Sequence, residues 1–215
     1  MHHMQHRVPV QNLHLFNPAE KNKIRYGFVF DVQKYPAAGI ARQLAFFGQV
    51  NGSTLPGGGQ KTDTMTNITV ANSLPKNQAM LVKEVEILFT PGLLNGRSGA
   101  GVTPQLLDDL AEFYGNGILH VQVKGVDVVK DKVGRFPPTA RIVGNSAIAT
   151  TAAGTTMVDE TGALVGKPYP VEWFTWNGGD NITAMLEYPD GNAALPSGVD
   201  GLVEIRLWGD IYEVK

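Results

Sequence analysis

The chain has 215 residues, enough to bury a sizeable core without a disulfide or a structural metal, and its lack of cysteine excludes disulfides and thiolate chemistry. Its 18 Lys and Arg against 20 Asp and Glu give a net charge of −2, without the basic excess that holds nucleic acid over a broad face by counterion release. Only 18% of residues are charged, and 25 Gly and 13 Pro are scattered throughout, which describes many turns between short elements and a largely neutral surface.

Residues 1–23 are polar, rich in histidine (His2, His3, His6, His14) and without periodicity, and they read as an N-terminal arm. The arm is mildly basic: Arg7, Lys21, Lys23 and the adjoining Arg25 stand against Glu20 alone. It has no apolar core of signal-peptide type, and no stretch of the chain approaches 18 uninterrupted apolar residues, so neither a leader nor a membrane span is expected. Residues 24–215 read as one domain. Ile24, Tyr26, Phe28, Phe30 and Val32 alternate with Arg25, Gly27, Val29 and Asp31, the pattern of a half-buried strand. The stretch 37–50 is apolar but ambiguous, 51–62 is a Gly-rich loop, and Ile68 and Val70 suggest a short strand.

In the next segment Leu81, Val85, Ile87 and Phe89 share one face, with Lys83 out of place, while Glu84 and Glu86 point the other way toward solvent. A Gly-rich loop follows through Gly101, and then a short helix is predicted over about 103–114. Thr103 would be its N-cap, Pro104 its first-turn residue, and Leu106, Leu107, Leu110 and Phe113 or Tyr114 its apolar stripe; Asp108, Asp109 and Glu112 lie on the wet side and Gly115 is placed to end it. Ile118 to Val129 alternates again, 146–168 reads as loop and short edge strands, and strands are expected over Val171–Trp176, Ile182–Tyr188 and from Val203 almost to the C-terminus. About eight strands, one inserted helix and no βαβ alternation predict an all-β, antiparallel β-sandwich in the form of a single jelly roll, because eight half-buried strands must close their apolar faces on one another.

Motifs that would carry chemistry are incomplete in this sequence. Gly57-Gly58-Gly59-Gln60-Lys61-Thr62 interposes Gln where a phosphate loop needs Gly-Lys-Ser/Thr, and no helix follows, so Lys61 reads as part of a loop tip. Gly96-Arg97-Ser98-Gly99-Ala100 lacks the final glycine of a nucleophile elbow. Four of five histidines lie in the arm, without carboxylates to form a second shell, and His120 sits alone on the polar face of a strand as a surface or interface residue. No catalytic residue, metal ligand, cofactor or small-molecule substrate is therefore expected. Arg206, Trp208 and Tyr212 form an aromatic–Arg–aromatic row on the outward face of the last strand, the composition of an interface hot spot; Trp176 is the further interface candidate.

The C-terminal third carries Asn177-Gly-Gly-Asp-Asn-Ile-Thr-Ala-Met-Leu-Glu-Tyr, then Ala194-Leu-Pro-Ser-Gly-Val-Asp, then Val203-Glu-Ile-Arg-Leu-Trp-Gly-Asp-Ile-Tyr-Glu-Val. This succession resembles the closing strands of jelly-roll capsid proteins from tailless icosahedral bacteriophages, and Asp63–Thr69 with Leu74–Phe89 is similar to their early strands. The resemblance is one of pattern, extends over about half the chain and fits a single jelly roll. It implies a virion structural protein, located in the capsid, whose partners are copies of itself in trimer or pentamer capsomers and other capsid proteins. The arm, through Arg7, Lys21, Lys23 and Arg25, would then meet a neighbour, an internal membrane or the genome. The competing expectation is a carbohydrate- or receptor-binding β-sandwich module, and a β-sandwich enzyme ranks below both.

Overall fold

The computed structural model describes residues 24–40, 42–55, 59–91, 104–136, 140–151, 154–165, 167–189 and 193–213. Among these residues ten strands and one α-helix follow in the order β1 (Ile24–Tyr35), β2 (Gln43–Phe46), β3 (Gln78–Thr90), α1 (Pro104–Asn116), β4 (Ile118–Val123), β5 (Val126–Lys132), β6 (Ala140–Thr151), β7 (Gly154–Val165), β8 (Tyr169–Asn177), β9 (Ile182–Glu187) and β10 (Gly201–Glu213), with a 3-10 turn at Val133–Arg135 after β5. Eight strands make two four-stranded antiparallel sheets, β1-β10-β3-β8 and β2-β9-β4-β5; among the described residues β6 and β7 pair only with each other. Apart from the β4-β5 hairpin and the β6-β7 pair, successive strands alternate between the two sheets, and the first and last lie side by side, the strand order of a jelly roll; the all-β sandwich expected from the alternation is the observed fold.

Interdigitated side chains from the two inner faces fill the space between the sheets: Val85, Ile87, Val203, Ile205 and Leu207 from one, Phe46, Leu119, Val121, Ala184 and Leu186 from the other. One end is closed by α1. Its Phe113 is fully buried, stacks on Phe89 with centroids 4.3 Å apart, and meets Tyr35 edge-on at 5.6 Å. Each such ring pair contributes about 0.5–1.5 kcal/mol beyond its area. The helix stops two residues after the stretch expected, at Asn116 rather than at Gly115. Just past the helix end, a Cβ at Gly117 would crowd Val133 Cγ2 at 2.7 Å. Asp109 is not on the wet side: it is buried, and its Oδ1 accepts the Ser197 N–H at 2.8 Å, tying the helix to the turn before β10. Thr103 and the loop 92–102 lie outside the described residues.

The aromatic cluster has a measurable consequence. The Tyr35 hydroxyl donates to Ala193 O at 2.7 Å and the Tyr188 hydroxyl to Phe113 O at 3.0 Å, both in the interior. Burial pushes Tyr35 up to about 12 and Tyr188 well above the usual phenol range. Since the unfolded phenols ionise near 10, this contribution to stability is complete below that pH and is lost as pH rises through about 12. An alkaline titration followed by phenolate absorbance is expected to show these tyrosines ionising together with loss of the near-ultraviolet circular dichroism. Complete ionisation near pH 10 with the fold intact would contradict the burial.

Several sequence expectations are corrected. In β1, whose alternation leaves the dry face open, Val29, Asp31 and Tyr35 point inward, while Tyr26 (56% exposed), Phe28 and Phe30 lie on the outer face. Lys83 breaks the alternation of β3 because a β-bulge falls there. Glu84 pairs with Trp208 and Val82 with Gly209, so the extra residue flips the phase and the inward set becomes Met80, Val82, Val85, Ile87 and Phe89. Ile68 is buried but Val70 is 43% exposed, and the segment forms isolated bridges instead of a strand. The alternation from Ile118 to Val129 is two strands, reversed by Lys124 (φ 55°) and Gly125 (φ 78°), both left-handed as a two-residue primed hairpin turn requires. Most of the stretch 146–168 belongs to the long β6-β7 hairpin, in register from Ala140↔Val165 to Thr151↔Gly154.

Lys61 is not at a loop tip. The segment from Gly52 to Lys61 folds back on itself, with Gly52 N–H donating to Lys61 O at 2.8 Å and Lys61 N–H to Ser53 O at 2.9 Å, so Lys61 stands at the base. Its ammonium enters the interior and lies 2.5 Å from Asp31 Oδ1, both side chains being fully buried.

Candidate functional site

The outer face of the β1-β10-β3-β8 sheet concentrates the side chains of interest. Register sets them in rows: Phe28 opposite Trp208 opposite Glu84, and Phe30 opposite Arg206 opposite Glu86. Phe28 and Trp208 have centroids 4.5 Å apart, Tyr26 stacks on Trp208 at 6.1 Å, and Phe28 reaches Phe30 at 5.8 Å. The Arg206 guanidinium lies 5.3 Å from the Phe28 centroid, a cation–π contact. Across the bulge the Lys83 ammonium sits 4.8 Å from the ring of Trp173, which is 61% exposed, and 2.7 Å from Asp210 Oδ2.

Charges on this face are neutralised internally. Arg206 Nε donates to Glu204 Oε1 at 2.6 Å, and its Nη1 lies 3.5 Å from Glu86 Oε2. Burial works against the guanidinium charge, but Glu204 and Glu86 outweigh it and hold Arg206 above its ordinary value. Trp208 donates its indole N–H to Glu86 Oε2 at 3.0 Å. Glu86, expected as a solvated glutamate, is therefore only 1% exposed beneath Trp208 and Arg206. Tyr26 donates to Glu84 Oε2 at 2.5 Å, and burial together with that carboxylate pushes its phenol up to about 12.

Arg206 and Trp208 thus lie together on an outer face, half-buried, and the structure adds Tyr26, Phe28, Phe30 and Trp173 to them. Tyr212 shares their strand parity but is 7% exposed, so it is packed rather than presented. Trp176 is the clear correction: it is fully buried against Phe47, with its indole N–H donated to Asp180 O at 3.1 Å. Of the two tryptophans on β8 it is Trp173 that reaches solvent, because alternation puts only one of them on the outer face. Arg25 is exposed at the start of β1; Arg7, Lys21, Lys23 and the arm histidines lie outside the described residues.

The other sheet offers one polar cluster. His120, on the outer face of β4, is 8% exposed; its Nε2 lies 3.0 Å from Glu187 Oε2, off the hydrogen-bonding direction, and its Nδ1 3.9 Å from Asp127 Oδ1. Lys130 is its cross-strand neighbour. Among the described residues no group of three or more His, Cys, Asp or Glu is arranged to hold a metal ion, and no helix is long and apolar enough to cross a membrane.

Fold and surface together define a jelly-roll β-sandwich with an aromatic, internally charge-paired outer sheet face. No protein-family model matches the chain, and no curated protein matches it significantly.

Proposed function

We propose that this protein is a structural subunit of an icosahedral capsid, which assembles with copies of itself through lateral contacts of its single jelly roll. The observation that carries the reading is the outward aromatic set of Tyr26, Phe28, Phe30 and Trp208, with Trp173 across the sheet. Large rings on the solvent side of a sheet, with the nearby charges already paired to one another, have the composition of an interface core, where charge is depleted and aromatics and Arg are enriched. The pattern-level resemblance to phage capsid proteins points the same way.

Electron microscopy and sedimentation of the purified full-length protein test this. Closed particles or large oligomers are expected, and Phe28→Glu, which places an unpaired charge at the centre of the aromatic set, is expected to disperse them without changing the far-ultraviolet circular dichroism. A wild-type chain that sediments as a monomer at high concentration would reject the reading. The second reading is a carbohydrate-binding module, favoured by the exposure of Trp173 and Tyr26 on one sheet face, 61% and 56%. It predicts a stable small species whose tryptophan fluorescence shifts with added oligosaccharide.

A further inference from the structure

β1 is an edge strand, and the middle of its free edge, from Phe28 to Val32, is capped by its own chain. Val32 N–H donates to Met65 O at 2.7 Å, Thr66 Oγ1 donates to Phe30 O at 3.1 Å, and the Asn67 side chain spans the edge, its Oδ1 accepting Phe30 N–H at 2.8 Å and its Nδ2 donating to Phe28 O at 2.9 Å. Such capping blunts a strand edge against indiscriminate pairing. It stops at Phe28. The capped groups belong to Phe28, Phe30 and Val32, so by the same alternation Tyr26 also directs its N–H and C=O to the free edge, as Phe28 directs its N–H. Among the described residues no hydrogen bond reaches them there.

A cavity of about 440 Å³ opens where the cap ends, between Tyr26 and Phe28 on β1, Ile211 beneath, and Asn67, Thr69 and Leu74 opposite. Unpaired main-chain donors and acceptors beside a partly apolar groove are the elements of strand addition: the backbone supplies the hydrogen bonds and the groove takes alternate side chains. We propose that this groove accepts an extended strand from a second copy of the chain, which continues the β1-β10-β3-β8 sheet across the subunit contact.

The choice of a second copy follows from size and continuity, and it rests on the assembly reading above. Stable interfaces bury roughly 1,200–2,000 Å² in total, far more than a groove beside two or three strand residues supplies. An unrelated peptide would gain too little here to stay bound. A copy already held by the aromatic face meets the groove at high effective concentration, and Tyr26 and Phe28 belong to both surfaces.

The test compares full-length variants by sedimentation. Tyr26→Ala removes the ring and keeps the edge N–H; Tyr26→Pro removes both and leaves the β10 ladder untouched, since that N–H points away from β10. Tyr26→Pro is expected to weaken association at least tenfold beyond Tyr26→Ala. Thr69→Trp fills the groove from the loop side and is expected to weaken association by a similar factor; it carries the test if the proline variant does not fold. Amide exchange at Tyr26 and Phe28 is expected to slow only on assembly. Proline and alanine variants of equal strength, together with wild-type assembly of Thr69→Trp, would overturn the proposal, as would amides already protected in the dissociated subunit, which would mean the chain fills its own groove. If wild type assembles and Phe28→Glu disperses it while the groove variants assemble normally, strand addition fails and the capsid reading stands. A monomeric wild type removes both.

Discussion

Alanine at Lys61 is expected to lower the folding free energy by about 3–5 kcal/mol, the usual result of breaking a buried ion pair from one side. Lys61 and Asp31 are both fully buried, and Lys61 Nζ has no hydrogen-bond partner in good geometry, so its compensation in the interior is the carboxylate 2.5 Å away. Asp31 is better held: its Oδ2 accepts the Phe47 N–H at 2.9 Å and Gln33 Nε2 at 3.0 Å. Without the ammonium, a carboxylate stays beneath β1 with its charge uncompensated. Asp31→Asn keeps an acceptor for Phe47 but strands the ammonium, and is expected to cost a comparable amount. The double variant Asp31→Asn/Lys61→Ala removes both charges and is expected to lose clearly less than the sum of the single losses, with a coupling of about 2 kcal/mol or more. Urea unfolding of the four proteins reads this directly. A Lys61→Ala midpoint equal to wild type would show that the pair contributes nothing.

The second large effect is expected at Gly209. A Cβ built there would lie 1.9 Å from the Leu81 carbonyl oxygen and 2.8 Å from its carbon. The obstacle is the backbone of the partner strand at the β3 bulge, where Gly209 pairs with Val82 and Trp208 with Glu84. No rotamer change relieves a clash with backbone, so Gly209→Ala must separate β10 from β3 in the middle of the sheet. We expect a loss of about 3 kcal/mol or more, at the upper end of overpacking costs. Gly27→Ala on the neighbouring strand is the control: its Cβ meets only Ile211 Cδ1 at 3.3 Å, the end of a flexible side chain, and it is expected to cost less than about 1 kcal/mol. Comparable losses at the two positions would contradict the close approach. Because the bulge also places Lys83 between Asp210 and Trp173, Gly209→Ala is expected to disturb the outer face as well.

The sequence by itself determined the class of fold and much of the strand inventory, since a period of two is printed in any strand with one face dry and the other wet. The alternation of Val203, Ile205, Leu207 and Ile211 with Glu204, Arg206 and Asp210 is reproduced in β10, and so is the outward position of Arg206 and Trp208. Tertiary structure decided which face is dry wherever both faces carry large or charged groups. In β1 the aromatic set lost the interior to Val29, Asp31 and Tyr35, because Lys61 arrives from a distant loop to neutralise Asp31 and Ala193 receives the Tyr35 hydroxyl. In β3 a single bulged residue, fixed by the approach of Gly209, reversed the phase of everything before it. Glu86 and Trp176 read as surface residues until the rings above one and the sheet around the other were in place. Local pattern records how a side chain compares with its chain neighbours; burial depends on partners that lie more than a hundred residues away in sequence, such as Trp208 to Glu86 and Ala193 to Tyr35.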